Sequence, residues 1–193
     1  MNTKIMKLDE IDKRILNAMQ ERGRISNAEL ADSINLSQSA CYRRVQRLED
    51  EGFIKEYVAL LDAKKMGVPT TVFVEITLSA QADEVLDAFE KEVARIPNVL
   101  ECHLTAGTAD YVLKVVAEST EDFARIHRQY LARLPGVAQM QSSFALRTVF
   151  KTTALPIPIE VSIFLETARK EHIPRKYARI IFSIKIDFVA KLR

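Results

Sequence analysis

The sequence has little cysteine, no tryptophan and no long apolar run, and each absence excludes a class of protein. Cys41 and Cys102 are too few and too far apart for a disulfide framework or a zinc site, so we expect both to be small core residues. No stretch approaches the roughly 18 apolar residues of a membrane span, and the start MNTKIMKLDEIDK lacks the apolar core of a secretion signal. We therefore expect a cytoplasmic protein with no membrane partner.

The chain also lacks a strong excess of either charge. Its 28 Lys and Arg residues face 26 Asp and Glu residues, which gives a net charge of +2. Residues 160–193 contain eight basic and four acidic groups, so the preceding 159 residues hold 20 basic and 22 acidic groups. Any nucleic-acid binding by the main body must therefore depend on a local patch and not on bulk charge.

The first predicted helix has an apolar stripe between Leu8 and Met19, at the spacing of an amphipathic helix. Asp9 precedes the stripe in the position of an N-cap. Asp12 then lies where a negative charge is favourable at the positive end of the helix dipole. Gly23 predicts the end of this helix.

Two more helices are predicted directly after it. Ser26 and Glu29 have the spacing of a capping box, which predicts a second, short helix. Ser37 is placed to cap a third helix after a turn of about three residues. Three helices in about 45 residues, with the last two so close together, predict a helix-turn-helix.

The third helix contains the segment LSQSACYRRVQRLE, residues 36–49. Cys41, Val45 and Leu48 form a narrow apolar stripe that must face a core. The opposite side carries polar groups that suit a partner rich in hydrogen-bond acceptors: Ser39, Tyr42, Arg43, Gln46 and Arg47. The alternative from the residues alone is an ordinary solvated helix face.

The segment after the helices predicts an extended connection. FIKEYVALLD, residues 53–62, reads as a strand or wing, and DAKKMGVPT as a short linker. We therefore place the domain boundaries as follows: a helix-turn-helix unit at 1–62, a linker at 63–69, a second domain at 70–158 and a basic extension at 159–193. In the extension, alternating apolar residues allow a strand, whereas its basic stretch reads equally as linker.

The second half of the chain alternates between strand and helix patterns. VFVEITL, VLECHL and YVLKVVA predict strands, and a last strand is predicted from Met140 to Phe150. Amphipathic helices are predicted before Pro97 and before Pro135-Gly136. The order β-α-β-β-α-β predicts an α+β ferredoxin-like domain whose two helices cover one sheet face. Apolar residues on the other face, at Phe73, Val116 and Val149, suggest self-association.

Several of these segments together resemble the Lrp/AsnC, or feast/famine, family of prokaryotic transcription regulators. The resemblance rests on LDEIDKRIL, GRISNAELA, LSQSACYRRVQRLEDEGFI, YVALLD, VFVEITL, CHLTAGTADYVLKV, LPGV and SSFALRTVFKTTALP, in that order, and covers residues 8 to 158. It implies an N-terminal winged helix-turn-helix and a C-terminal ferredoxin-like effector domain. It also implies homodimers that often assemble into octamers, and control by small molecules that are usually amino acids.

In such proteins the second helix of the motif enters the major groove of double-stranded DNA with its N-terminal half nearest the bases. We accordingly expect Gln38, Ser39 and Arg43 to contact bases of an inverted-repeat operator. The expected contacts to the DNA backbone come from Ser37, Tyr42 and Arg47. Arg44 lies nearer the core edge, where a salt bridge to a carboxylate of the first helix is an equal alternative to DNA contact.

A glycine loop, TAGTAD, is the second candidate site. Gly107 lets backbone N–H groups approach a ligand, and Asp110 can pair with an ammonium group, which suits an amino acid. The alternative is an ordinary hairpin turn with a capping aspartate. The resemblance implies an effector site between subunits, formed by Gly107, Thr108, Ala109 and Asp110 with Gln141, Ser142 and Ser143. Many family members have an acidic and then an aromatic residue after the glycine, so Thr108 and Ala109 leave the selectivity open.

Two rival functions remain at this point. Cys102, His103 and Asp110 could be drawn as a catalytic group, but neighbouring residues on a strand point to opposite faces. We therefore expect no enzyme activity, and no pattern in the sequence predicts a cofactor or a metal site. The other rival is an architectural DNA-binding protein of the same fold that responds to no effector.

Overall fold

The computed structural model describes residues 7–158 of the chain. Its contacts divide the described residues into two compact units. One comprises residues 7–58 together with 152–158, and the other comprises residues 59–151. Within the described range, no helix is long and apolar enough to cross a membrane.

Three α-helices form the first unit: α1 (Glu10–Glu21), α2 (Asn27–Ser33) and α3 (Gln38–Asp50). The side chains of Asp9, Ser26 and Ser37 each accept a hydrogen bond from the backbone at the start of a helix, as predicted. Ser26 and Glu29 form the predicted capping box, and Asp9 and Asp12 form a second one. Local sequence therefore fixes where all three helices begin.

The turn between α2 and α3 depends on Asn35, which has a φ of 58°. This left-handed conformation is unfavourable for most residues, and asparagine tolerates it better than others apart from glycine. The backbone N–H of Leu36 donates to the carbonyl of Ala31 at 2.9 Å and closes the turn. The buried side chain of Ile34 ties the turn to the core of the unit.

The core of the helical unit is small and contains the predicted apolar stripe of α3. Its buried members are Ile15, Leu16, Leu30, Ala31, Ile34, Cys41 and Leu48. The segment 152–158 packs on the same unit, which the sequence did not indicate. Gln20 exchanges hydrogen bonds with the backbone of Leu155, and the Asn17 amide donates to the carbonyl of Ile157 at 3.3 Å.

The strand predicted in residues 53–62 is absent, since nothing between α3 and Thr70 forms a strand. The backbone N–H groups of Phe53 and Ile54 both donate to the carbonyl of Leu48, which turns the chain at the end of α3. After that turn, the segment forms no backbone ladder with any strand among the described residues. Its apolar side chains, including Tyr57, are left exposed.

The second unit contains four strands and two α-helices: β1 (Thr70–Leu78), α4 (Asp83–Val93), β2 (Val99–Leu104), β3 (Tyr111–Ala117), α5 (Thr120–Gln129) and β4 (Val137–Phe144). The strands form one antiparallel sheet in the order β2-β3-β1-β4. This topology confirms the ferredoxin-like α+β prediction for the unit.

One face of the sheet packs against both helices, and the core on this face is formed mainly by β1 and β3. Alternate residues of β1 and β3 are buried: Val72, Val74, Ile76 and Leu78, and Tyr111, Leu113, Val115 and Ala117. Phe89 and Val93 from α4 and Phe123 and Ile126 from α5 belong to the same cluster. On the other face, Phe73 and Glu75 are exposed.

Three predicted features of this unit were wrong in detail. The last strand ends at Phe144, not Phe150, because its pairing with β1 stops at Val72 and Phe144. Accordingly, Leu146 and Phe150 lie outside the sheet and are exposed. The helix α5 ends at Gln129 and a short 3-10 turn follows it. Cys102, predicted to be buried, is exposed on the edge strand β2.

Gly136 fixes the turn before β4. Its φ is 74°, in the left-handed region, and a Cβ at this position would lie 2.6 Å from Cγ1 of Val85. Both the backbone conformation and the close approach of α4 therefore require glycine. The carbonyl of Gly136 accepts a hydrogen bond from Ser79 at 2.8 Å, which joins the turn to the end of β1.

Candidate nucleic-acid interface and ligand pocket

The first half of α3 presents a row of exposed polar side chains. Ser37, Gln38, Ser39, Tyr42 and Arg43 are all exposed, and Tyr42 retains 53% of its accessible surface. Ser37 caps the helix, and its hydroxyl lies 3.3 Å from that of Ser39. Arg43 forms no salt bridge within residues 7–158. Its guanidinium group is therefore available to a partner.

Two other arginines of α3 already have partners inside the helical unit. Arg44 Nη1 lies 2.7 Å from Asp12 Oδ1 and 2.7 Å from Asp9 Oδ2. Arg47 Nη2 lies 2.6 Å from Asp12 Oδ2, an ion pair without the alignment of a hydrogen bond. We call Asp9, Asp12, Arg44 and Arg47 the Asp12 cluster. It confirms the salt-bridge alternative for Arg44, and it gives Arg47 a partner that the sequence did not indicate.

The Asp12 cluster shifts the pKa values of Asp9 and Arg44. Partial burial opposes ionisation of Asp9, but the hydrogen bonds from the Asp12 backbone and from Arg44 outweigh it and lower its pKa. The hydrogen bond to Asp9 raises the pKa of Arg44, against the effect of burial. Asp12 itself is only 1% exposed. A buried carboxylate that holds two guanidinium groups is a strong constraint on the position of α3 against α1.

In the second unit, the glycine loop is a hairpin turn closed by its own hydrogen bonds. The Thr105 hydroxyl donates to the carbonyl of Ala109 at 2.6 Å. The carboxylate of Asp110 accepts the backbone N–H of Leu78 and the side-chain amide of Gln81, each at 2.7 Å. Asp110 is thus the capping aspartate of the alternative interpretation, and its two oxygens already have donors.

Gly107 is not required by the shape of this loop. Its φ lies outside the left-handed region, and an added Cβ would meet only Oγ1 of Thr105, at 4.0 Å. Neither backbone strain nor packing among the described residues explains why this position is a glycine. The space beside it is open to an approaching group.

A pocket of about 210 Å³ lies beside the loop on the open face of the sheet. We call it the ligand pocket, and it is lined by Glu75, Thr77, Thr108, Ala109, Gln139 and Gln141. The structure therefore brings together Thr108, Ala109 and Gln141, which were predicted to share a site. The pocket is smaller than the roughly 300–1,000 Å³ typical of drug-sized ligands, so its size suits a small metabolite.

The three predicted β4 residues do not share one surface. Ser142 pairs with the buried Val74 and so faces the helices, whereas Gln141 pairs with Glu75 on the open face. Ser143 lies on the open face opposite Phe73, one pair further from the loop and outside the lining of the pocket. Because side chains alternate along a strand, the run Gln141–Ser143 could not form one wall.

The sequence analysis missed three residues of the ligand pocket: Glu75, Thr77 and Gln139. The alternation in VFVEITL places Glu75 and Thr77 on the non-core face, so part of the signal was present. The pairing of Glu75 with Gln141 and of Thr77 with Gln139 depends on the β1–β4 register, which the sequence does not show. Glu75 forms no salt bridge within the described range.

The larger cavity of the second unit, about 390 Å³, lies between α4 and β2 and includes Cys102 and Tyr111. Burial, together with the charge of Glu90, raises the pKa of the Cys102 thiol and so disfavours the nucleophilic thiolate. Cys102 pairs with the buried Leu113 and His103 with Val112, so the two side chains face opposite sides of the sheet, as predicted. No cluster of metal-ligating side chains occurs among residues 7–158.

Two sequence families match this chain in the order of its two units. Residues 8–55 match a family described as winged helix-turn-helix DNA-binding, and residues 71–155 match the Lrp/AsnC ligand binding domain. The leucine-responsive regulatory proteins of Escherichia coli strain K12 and Klebsiella pneumoniae are each 39% identical over 150 residues. The matched part is 78% of this chain and 92% of each relative. This chain belongs to the Lrp/AsnC family.

Solved structures of Lrp/AsnC-type regulators have the same fold. A transcriptional regulator from Neisseria meningitidis in complex with L-methionine is 32% identical, with a TM-score of 0.74 over 82% of this chain and 99% of that one. An AsnC family regulator from Agrobacterium tumefaciens is 34% identical, with a TM-score of 0.74 over 77% of this chain and 97% of that one. The family assignment makes the chain a DNA-binding transcriptional regulator with a ligand-binding domain, in agreement with the sequence prediction.

Proposed function

We propose that this chain reads an inverted-repeat operator through the first half of α3 and responds to an amino acid bound in the ligand pocket. The observation that carries the proposal is the distribution of polar groups on α3. Those of its first half are exposed and form no salt bridge among residues 7–158, whereas Arg44 and Arg47 are paired with Asp12. A regulator of this kind acts in the cytoplasm, where it meets DNA.

The proposed DNA contacts follow from this distribution. Gln38, Ser39 and Arg43 contact base edges, where an arginine can donate hydrogen bonds to both major-groove acceptors of a guanine. Ser37 and Tyr42 contact the phosphate backbone. We leave Arg47 out of the proposed contacts because its guanidinium group is already paired with Asp12.

The proposed effector site is centred on the ligand pocket. Glu75 is an exposed carboxylate with no cationic partner among the described residues, so it suits the ammonium group of an amino acid. Thr108, Gln139 and Gln141 provide polar groups for the rest of the ligand, and Gly107 leaves room for its approach. Asp110 supports the loop through Leu78 and Gln81 instead of contacting the ligand. The structure of the Neisseria meningitidis relative in complex with L-methionine supports an amino acid as the ligand class.

We also propose a homodimer, with an octamer as a higher assembly. Apolar side chains on both units are exposed, among them Tyr57 at 58%, Leu61 at 71% and Phe73 at 43%. Exposed apolar surface of this extent is typical of an interface. Two copies of α3 would then read the two halves of a symmetric operator.

Selection of bound fragments from the source genome, with and without a mixture of amino acids, tests the function as a whole. We expect enrichment of fragments that share an inverted repeat, and a change in their enrichment when the amino acids are present. Enrichment without any response to amino acids would favour the architectural alternative. No enrichment over random fragments would contradict both.

Substitution of Glu75 tests the effector site separately. Amino acids that bind the folded chain raise its melting temperature by mass action. We expect Glu75→Gln to remove most of this rise, because the ammonium group loses its carboxylate partner. Glu118→Gln, which changes an exposed carboxylate of the same unit outside the pocket, is the matched control. An undiminished response in Glu75→Gln would place the site elsewhere.

A further inference from the structure

We infer that Asp12 is a positioning residue for DNA recognition, which holds Arg44 and Arg47 away from the phosphates. The inference rests on the proposed function and concerns a residue that makes none of the proposed DNA contacts. It follows from the geometry of the Asp12 cluster and from the chemistry of arginine as a phosphate ligand.

The first step is the geometry of the carboxylate. Asp12 lies in the first turn of α1 and is 1% exposed. Its Oδ1 binds Arg44 Nη1 at 2.7 Å, and its Oδ2 lies 2.6 Å from Arg47 Nη2. The backbone N–H of Asp9 also donates to Oδ2, at 3.2 Å. Both oxygens of one buried carboxylate are therefore engaged.

The second step is the placement of the two arginines on α3. They are three residues apart and so project from neighbouring positions on one side of the helix. Their side chains are 27% and 38% exposed, so neither is extended into solvent. Binding both to one fixed carboxylate of α1 limits rotation of α3 about its own axis. That rotation decides which side chains reach the base edges.

The third step is charge. Each guanidinium group that pairs with a phosphate releases a counterion and strengthens binding equally for all DNA sequences. Arginines that are neutralised by Asp9 and Asp12 do not add to this sequence-independent affinity. The Asp12 cluster therefore favours specific over non-specific binding, since Arg43 and its neighbours on the first half of α3 carry the recognition.

The salt dependence of DNA binding tests this inference directly. The full chain and its variants are titrated onto a short fluorescent duplex of random sequence, at several salt concentrations. Each phosphate contact contributes about 0.9 to the slope of log affinity against log salt. We expect Asp12→Asn to steepen the slope by about 1, because the freed Arg47 reaches a phosphate while Arg44 stays paired with Asp9. Its preference for a selected operator over this duplex should fall.

Asp50→Asn is the matched control, because it removes the same charge from the exposed end of α3. Asp50 forms no salt bridge within the described residues, so its loss frees no arginine and the slope should stay at the wild-type value. A folded Asp12→Asn variant whose slope is unchanged or shallower would overturn the inference. Circular dichroism establishes that each variant is folded.

Arg47→Gln decides the question if Asp12→Asn does not fold. This variant leaves Asp12 paired with Arg44 and keeps a residue with good helix propensity. We expect its salt slope to equal that of the wild type, because Arg47 contributes no phosphate contact. A slope that becomes shallower by about 1 would show that Arg47 binds a phosphate, and the inference would fail.

Discussion

Two carboxylates, one in each unit, differ in whether their charge is already paired. Asp12 of the helical unit is buried and binds two arginines, whereas Glu75 of the sheet unit is exposed and has no cationic partner in the described chain. Asp12 therefore stabilises the folded structure, whereas Glu75 is available to a ligand. A charged residue near a candidate site is therefore informative about function only after its internal partners are known.

Removal of each carboxylate should give the largest contrast. We expect Asp12→Ala to lower the free energy of unfolding by about 3 kcal/mol, because Arg47 loses its carboxylate partner and Arg44 keeps only Asp9. Glu75→Ala should change it by no more than about 0.5 kcal/mol, as is usual for an exposed residue without partners. Urea denaturation followed by circular dichroism measures both values. Equal losses of unfolding free energy in the two variants would contradict this difference between Asp12 and Glu75.

Removal of the Asp110 side chain should destabilise the fold, as for Asp12 and unlike Glu75, although Asp110 lies in the glycine loop. Asp110→Ala leaves the buried backbone N–H of Leu78 without its acceptor, which costs about 1–3 kcal/mol. DNA binding by the helical unit should be retained. Urea denaturation gives the stability, and Gln81→Ala, which removes only the second donor, is the control. A stable Asp110→Ala variant that loses its response to amino acids would instead make Asp110 a ligand contact.

The smallest expected effect is the pH dependence contributed by Asp9. Its pKa is lowered in the folded chain, so its contribution to stability is present above the unfolded pKa and is lost as the pH falls through the folded pKa. We expect stability to decline less steeply on acidification in Asp9→Asn than in the wild type. Denaturation curves at pH 7 and at successively lower pH values measure this. Parallel declines would contradict the assigned role of Asp9.

Local patterns in the sequence predicted most of the fold. The caps at Asp9, Ser26 and Ser37 were predicted because each depends on residues within one turn. Strands β1 and β3 were predicted because each buries alternate residues. The end of β4 could not be predicted, since it is set by where its pairing with β1 stops. The same is true of residues 53–62, where strand-like composition has no partner strand in the described chain.

The candidate site was predicted less completely, because it depends on contacts between elements. Helical spacing identified the outward positions of α3, but the pairing of Arg47 with Asp12 is a contact between α3 and α1. Asp12 was interpreted only through the helix dipole. Likewise, the pairing of Glu75 with Gln141 depends on strand register, so Glu75 was missed, and the effector contact of Ser142 stays a prediction.

Operator binding by Arg43→Ala and Arg47→Ala, measured side by side by fluorescence anisotropy, tests the central claim most directly. The account predicts that Arg43→Ala weakens binding to the selected operator by about 1–3 kcal/mol and reduces its preference over random duplex. Arg47→Ala should retain that preference and bind the operator nearly as well as the wild type. The reverse result, with Arg47 essential and Arg43 dispensable, would contradict the account of how α3 meets DNA.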